Sequence, residues 1–329
     1  MMAKVVVAID LGGTNIKAAL VATNGQILRE KRVPTEAAEG PEAVCSRIVV
    51  LARDLIQAEG LAMEDVISVG IGVPGPLNSK TGVVLRCPNM PGWEDFKVAE
   101  FITEQLQVAV HIENDANAAA LAEAWVGAGK GTRHVVCMTL GTGVGCGVVA
   151  NGRILKGQGQ GAELGHMIVR EGGRLCGCGA RGCLEAYAAA GSVAKRAIDA
   201  LNDGGPAVRK SRLAGTTPTC KSVFQAAEEG DALALRLVSD TARYLAAGLA
   251  SVVHIFHPQV IVLTGGMISA GDDAVLGPTK KFLSTLAMSE MLQSVEIKLS
   301  PLEDRAGVLG AAAIALNRSG HPVLDLEEC

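Results

Sequence analysis

Residues 5–28 read VVVAIDLGGTNIKAALVATNGQIL, and residues 135–155 read VVCMTLGTGVGCGVVANGRIL. Each stretch runs as an apolar strand, a Gly/Thr turn, a second strand, an Asn-Gly turn and a third strand. The two stand about 127 residues apart and share an ending, Asn-Gly, one variable residue and Ile-Leu, that two unrelated Gly-rich hairpins would not need. Two related halves facing one another are expected to leave a cleft between them, a usual place for a ligand.

Outward from these hairpins, strands and helices alternate. A helix is expected over 41–59, with Val44, Ile48, Leu51 and Leu55 on one face. A strand over 66–73 is broken by Pro74-Gly75. A helix over 96–106, a strand over 108–112 and an alanine-rich helix over 115–126 follow. Strands over 134–139, 145–150 and 153–155 lead to the second Gly-rich region. Helices are expected near 191–201, 221–229 and 231–256, then a short strand over 260–263 and a closing helix over 307–316. Residues 204–219 read as a flexible loop and 320–329 as a loose tail. The mixture points to an α/β protein with mixed sheets.

Composition narrows the classes. The 329 residues suit two ordinary domains. With 49% hydrophobic and 19% charged residues, a mainly disordered chain is excluded. The net charge of −4 and the lack of a basic stripe argue against a nucleic-acid partner. Aromatic residues, at 3%, are too few for base-stacking platforms. The apolar run 5–9 is too short for an export segment, and no apolar stretch approaches the ~18 residues of a membrane span. A cytoplasmic protein with no membrane partner is expected. Of nine cysteines, Cys176, Cys178 and Cys183 crowd within eight residues. In a reducing compartment such a cluster suggests metal rather than disulfides.

The turn Asp10-Leu11-Gly12-Gly13-Thr14-Asn15 carries the first chemistry. Its glycines can present backbone N–H groups to phosphate oxygens, with Thr14 and Asn15 as side-chain donors and Lys17 as a cation. Asp10, at a strand end, suits Mg²⁺ held directly or through water. An ordinary hairpin turn is the alternative. The second turn, Leu140-Gly141-Thr142-Gly143, has the same ingredients without the acid, so the pair suits a nucleoside triphosphate with one metal ion. Gly265-Gly266, after a short strand, would let a nucleoside approach the backbone. Two G-x-G-x-x-G matches, at 70–75 and 177–182, do not lead from strand to helix, so a dinucleotide site is rejected. GAGKGT at 127–132 lacks the spacing of a Walker loop.

His111-Ile112-Glu113-Asn114-Asp115 lies where a strand yields to a helix. Asn114 or Asp115 can be a helix N-cap. Asp115 can also be a general base taking the proton of an attacking hydroxyl, with Asn114 bonded to a neighbouring hydroxyl; the two roles are compatible. Further on, His166 with Cys176, Cys178 and Cys183 makes a Cys3His set, a common closed tetrahedral zinc site, against the alternative of unrelated free thiols. Zinc there would be structural. It would also fix the His166 ring and leave the other ring nitrogen to donate. Glu163 and Glu185 flank the set and can bind sugar hydroxyls, or be solvated surface charges.

The motifs DLGGTN (10–15), GVPGP (72–76), PNMPGW (88–93), END (113–115), LGTGVG (140–145), GAELGH (161–166) and CGCGARGCLE (176–185) together resemble the ROK family of repressors and kinases. That family lies within the actin-like ATPase and sugar kinase superfamily. The match runs from Asp10 to about Leu316 and is closest to the bacterial ATP-dependent glucokinases of the family. The resemblance implies a duplicated, ribonuclease H-like α/β fold with two domains around a central cleft. It places a small domain at 1–115, completed by a C-terminal helix at about 305–319, and a large domain with a zinc knot at 116–304. It also implies ATP phosphates on Gly12, Gly13, Thr14, Thr142 and Gly143, with Gly265 and Gly266 near the nucleoside. Sugar binding falls on Gly75, Asn89, Asn114, Asp115, Glu163, His166 and Glu185. Asp115 becomes the catalytic base, and His166, Cys176, Cys178 and Cys183 the ligands of a structural Zn²⁺.

The expected reaction is transfer of the ATP γ-phosphoryl group to the 6-hydroxyl of glucose, with Mg²⁺ on the phosphates. A kinase of N-acetylmannosamine or another amino sugar is the nearest alternative. A sugar-sensing regulator without catalysis is a different class; Asp115, both phosphate turns and a first strand starting near residue 4, with no DNA-binding segment before it, disfavour it. A structural zinc module would leave the duplicated hairpins unexplained. The resemblance further implies a homodimer or higher homo-oligomer.

Overall fold

The computed structural model describes residues 4–87, 90–205, 208, 210–267 and 274–324. The chain divides into two compact units: Met1–Val135, Gly147–Ala162 and Pro301–Cys329 form the first, and Val136–Cys146 and Glu163–Ser300 the second. The helix after residue 115 therefore belongs with the first unit, not with the second as the sequence suggested.

The strands are β1 (Val5–Leu11), β2 (Asn15–Ala22), β3 (Ile27–Pro34), β4 (Val66–Val73), β5 (Leu77–Asn78), β6 (Val83–Arg86), β7 (Glu94–Phe96), β8 (Val110–Asn114), β9 (Val135–Leu140), β10 (Val144–Ala150), β11 (Arg153–Ile154), β12 (Val260–Thr264) and β13 (Glu296–Leu299). One five-stranded sheet has the order β3-β2-β1-β4-β8, another the order β11-β10-β9-β12-β13. Numbered along the chain within each sheet, both read third, second, first, fourth, fifth. The repeat seen in the sequence is thus a repeat of sheet order. In the first sheet β1 is antiparallel to β2 and β2 to β3, whereas β4 runs parallel to both β1 and β8.

The first strand explains why its sequence is apolar without alternation. Val5, Val7, Ile9 and Leu11 point into one core, and Val6 and Ala8 into another. A strand buried on both faces has no polar side to show. The helices are α1 (Pro41–Ala58), α2 (Val98–Leu106), α3 (Asp115–Trp125), α4 (Glu185–Ala188), α5 (Ala190–Asp203), α6 (Cys220–Glu228), α7 (Ala232–Phe256), α8 (Leu276–Leu286), α9 (Ser289–Leu292) and α10 (Ala306–Arg318). Helix α1 starts with proline at its first position, where no N–H is missed, and buries Val44, Ile48, Leu51 and Leu55 as its period requires. On the opposite face of the sheet, Ala311, Ala312 and Ala315 of α10 pack with Val6, Ala8, Ala19 and Ala122. Alanine and glycine let these backbones close up: a Cβ on Gly310 would strike the Ala118 carbonyl of α3, and one on Gly70 the Ala311 carbonyl of α10. This packing puts α3 in the first unit. It also gives Gly70, the first glycine of the rejected dinucleotide motif, a packing role.

Several elements differ from expectation. The strand expected over 108–112 is shifted to Val110–Asn114, and the three-stranded sheet β5-β6-β7, helix α8 and strand β13 were not anticipated. Residues 320–324 are held at the end of α10, where His321 N–H donates to the Leu316 carbonyl at 2.9 Å and Val323 N–H to Asn317 Oδ1 at 2.8 Å. In the 204–219 segment, Arg212 N–H is tied to Asp231 at 2.6 Å. Among the described residues, no helix is long and apolar enough to cross a membrane.

Candidate active site and metal centre

In the first unit the candidate residues gather beyond the carboxyl ends of three adjacent parallel strands, the usual place for ligands in α/β sheets. Register sets Asp10 beside Gly72 and Gly72 beside Glu113, one residue before β8 ends at Asn114. Asp10 lies at the end of β1, Gly75 in the bend after β4, and Asn114 and Asp115 at the β8–α3 junction.

The turn after β1 is held from two sides. Gly12 N–H donates to the Asn15 carbonyl at 3.0 Å, and the fully buried Thr35 donates its hydroxyl to Gly12 O at 2.6 Å and its N–H to Thr14 O at 2.9 Å. Gly13 and Thr14, at the tip, remain exposed. Burial raises the Asp10 carboxyl above its usual range, against the Lys17 and Arg32 cations, which lower it. The N-terminal end of α10 abuts it so closely that a Cβ on Gly307 would overlap the carboxylate. Lys17 points to Asp304, at 2.7 Å from its carbonyl and 3.3 Å from its carboxylate. Standing at the end of β1 beside the exposed tip of the glycine turn, the Asp10 carboxylate could hold a hydrated Mg²⁺.

At the β8–α3 junction the capping question resolves. Asn114 is the N-cap: its Oδ1 accepts from Ala116 N–H at 3.0 Å and from Asn117 N–H at 3.2 Å. That leaves its NH2 as the group able to meet a hydroxyl. Asp115 is the first residue of α3, and one of its oxygens accepts from Ala116 N–H at 2.9 Å. A helix N-terminus favours a carboxylate anion there.

The second unit carries the other half of the candidates. Its glycine turn closes with Gly141 N–H on the Gly143 carbonyl at 3.0 Å, and α5 is joined to it through Ala190 N–H on Gly141 O at 2.8 Å. Thr142 lies at the exposed tip. Gly265, at φ +100°, sits so near β9 that a Cβ would come within 2.5 Å of the Leu140 carbonyl. Only glycine takes that backbone readily. Beside Gly266 lies a cavity of about 640 Å³ lined by Ala190, Cys220, Lys221, Phe224, Gln225, Glu228 and Met267. Its size is that of a small-molecule site. The lining role of the α6 residues was missed in the sequence, where they show only as part of a short amphipathic helix.

His166, Cys176, Cys178 and Cys183 converge, with all four candidate ligand atoms within 4.8 Å of one another. The Cys178 and Cys183 sulfurs are 3.7 Å apart, and Cys176 Sγ is 3.7 Å from His166 Nδ1. Tetrahedral zinc with Zn–S near 2.3 Å and Zn–N near 2.0 Å requires edges of about 3.8 and 3.5 Å, so the set fits zinc and is too wide for a disulfide. Burial pushes the Cys176 thiol up to about 12 and raises Cys183, whereas the Ala180 backbone lowers Cys178. Backbone bonds shape the knot, with Cys176 N–H on Ala180 O and Leu184 N–H on Met167 O, each at 2.8 Å. Glu185 is less free than the sequence implied. One oxygen accepts from Val144 N–H at 3.0 Å, and the other lies 3.5 Å from the Cys176 sulfur. Glu163 is exposed just before the short helical turn that carries His166. Asn89 lies outside the described residues.

The model of the ROK family matches residues 6–318. A glucokinase of Thermotoga maritima is 37% identical over 320 residues, covering 95% of this chain and 98% of its own. The crystal structure of a ROK hexokinase from Thermus thermophilus superposes with a TM-score of 0.82 at 36% identity, covering 96% of this chain and 99% of its own. A ROK glucokinase from Streptomyces griseus, solved with glucose and AMPPNP, superposes with a TM-score of 0.77 at 32% identity, over 94% and 98% of the two chains. On this evidence of sequence and architecture, the chain belongs to the ROK family.

Proposed function

We propose that the chain is an ATP-dependent glucokinase that transfers the γ-phosphoryl group to the 6-hydroxyl of glucose, with Asp115 as general base. The observation that carries the reading is the gathering of Asp10, Asn114 and Asp115 beyond three parallel strand ends in a chain of this family. Glucokinase relatives at this identity over nearly the whole chain favour glucose over an amino sugar and a kinase over a sensor.

In this reading the backbone N–H groups around Gly12, Gly13 and Thr14, and those around Thr142 and Gly143, hold the phosphates of ATP, with Asn15 and Lys17 as further donors. Gly265 and Gly266 admit the nucleoside, whose base enters the cavity beside α6. Asp10 would hold Mg²⁺, which when bound offsets charge on the phosphates. Asn114 donates from its NH2 to a sugar hydroxyl. Gly75, Asn89, Glu163 and Glu185 complete the polar contacts. His166 faces the cysteines through Nδ1, so Nε2–H remains to donate to the sugar, and zinc would hold that ring in place. Asp115 takes the proton of the 6-hydroxyl as the hydroxyl oxygen bonds to the γ-phosphorus and the bond from that phosphorus to the β–γ bridging oxygen breaks, releasing ADP. The same reading makes the protein cytoplasmic and a homo-oligomer. An ADP-release assay over glucose, mannose, N-acetylmannosamine and N-acetylglucosamine tests it. Turnover is expected with glucose, and turnover confined to an amino sugar would replace the substrate.

A further inference from the structure

Lys156 lies outside every motif that points to the site, yet it ties three segments of the first unit together. Its ammonium pairs with Glu113 Oε2 and reaches Ser79 Oγ at 3.2 Å. The Glu113 side chain is 3% exposed, and its other oxygen accepts from Asn114 N–H at 3.2 Å and from Asn117 Nδ2 at 3.1 Å. The carboxylate that Lys156 orients is thus the one that braces the turn bearing Asn114 and Asp115. The Lys156 carbonyl meanwhile accepts the N–H groups of Gly159 and Gly161, each at 2.8 Å. Those bonds fold the segment Gly157-Gln158-Gly159-Gln160-Gly161, which has three glycines and little conformational preference of its own, just ahead of Glu163.

An ion pair with a buried carboxylate contributes little net stability compared with an apolar pair of the same volume, but it fixes direction. Here the directions it fixes are those of the turn that carries the base and of the loop that leads to a sugar ligand. We propose that Lys156 is a positioning residue for phosphoryl transfer to glucose, acting through Glu113 on the Asn114–Asp115 turn and through its carbonyl on the 157–161 loop. The proposal rests on Asp115 being the base and Glu163 a sugar ligand.

The test compares steady-state kinetics and amide hydrogen exchange in Lys156→Met, Glu113→Gln and the double variant. Misplacement of reacting groups by about 1 Å can cost about a hundredfold in rate, so Lys156→Met is expected to lower kcat/KM for glucose about 10- to 100-fold while KM for ATP moves by less than about twofold. Amides at 114–117 and 159–161 should exchange faster. The double variant removes both charges and so restores thermal stability, yet kcat/KM for glucose should stay low. Recovery of kcat/KM together with stability would reduce the pair to a structural role and overturn the proposal. So would Lys156→Met activity within about threefold of the parent, a change too small for displaced catalytic groups. If Lys156→Met does not fold, Glu113→Gln, which keeps an acceptor for Asn114 and Asn117, carries the same comparison. Asp115→Ala, measured alongside, separates the two claims: an active Asp115→Ala removes the base assignment, whereas an inactive one beside a normal Lys156→Met removes only the role of Lys156.

Discussion

The two five-stranded sheets share one strand order, yet the turns after their first strands differ in what they carry. The turn after β1 follows an acid, Asp10, and is strapped by the buried Thr35. The turn after β9 follows Leu140, and its neighbour Val144 is bonded to Glu185, which also touches the thiol cluster. One turn thus follows an acid, and the other is joined through Glu185 to the Cys/His cluster. Two helix caps differ likewise: α3 starts on a neutral cap, Asn114, and α7 on an ionisable one, Asp231. Duplication supplies two equivalent frames, and a few side chains at the strand ends give each a separate task.

The largest effect should come from the first half. Asp115→Ala is expected to lower kcat about 10²- to 10⁴-fold, the range for loss of a general base, while its circular dichroism and zinc content match the parent. Near-normal turnover would remove the chemical distinction between the halves. The next effect belongs to the second half. Cys178→Ser should lower bound zinc, read by elemental analysis, and raise KM for glucose about tenfold or more through the freed His166 ring. Unchanged metal content would refute the ligand set. Gly265→Ala tests the close approach at β9 and should destabilise the protein by about 1–3 kcal/mol, measured by denaturant unfolding, and raise KM for ATP.

The smallest effect sharpens the difference between the two caps. Burial raises the Asp231 carboxyl, but the N–H groups of Ala234 and Arg212 outweigh it, so its folded value lies below the ordinary one of 3.8. Such a group contributes stability above its unfolded value, and that contribution is lost as pH falls through the folded value. Asp231→Ala should therefore cost about 0.5–2 kcal/mol at neutral pH and progressively less in strong acid. The Asn114 cap has no such dependence. Equal differences at both pH values would contradict the assignment.

Much of this was legible because the local patterns were strong. The β1 run and the α1 period each gave one reading, and the Cys/His spacing marked a cluster whose four candidate ligand atoms do converge. What was not legible depended on tertiary pairing. Strand β13, EIKL, is half exposed and carries two charges, and it is a strand because it pairs with β12. Strands β5 to β7 span two to four residues, too few to show a period. The boundary at 115 failed because the contact of alanine-rich α3 with α10 joins residues nearly two hundred positions apart. Asn114 and Asp115 could not be ranked as caps from composition, since both residue types suit the position. Lys156 had no motif to mark it, and its role shows only through Glu113.

The base assignment is tested most directly by a crystal structure of the chain with glucose and a non-hydrolysable ATP analogue. An Asp115 carboxylate oxygen is predicted within about 2.6–3.2 Å of the sugar's 6-hydroxyl, with that hydroxyl facing the γ-phosphorus. A carboxylate turned away from the sugar, or another hydroxyl in that position, would contradict it.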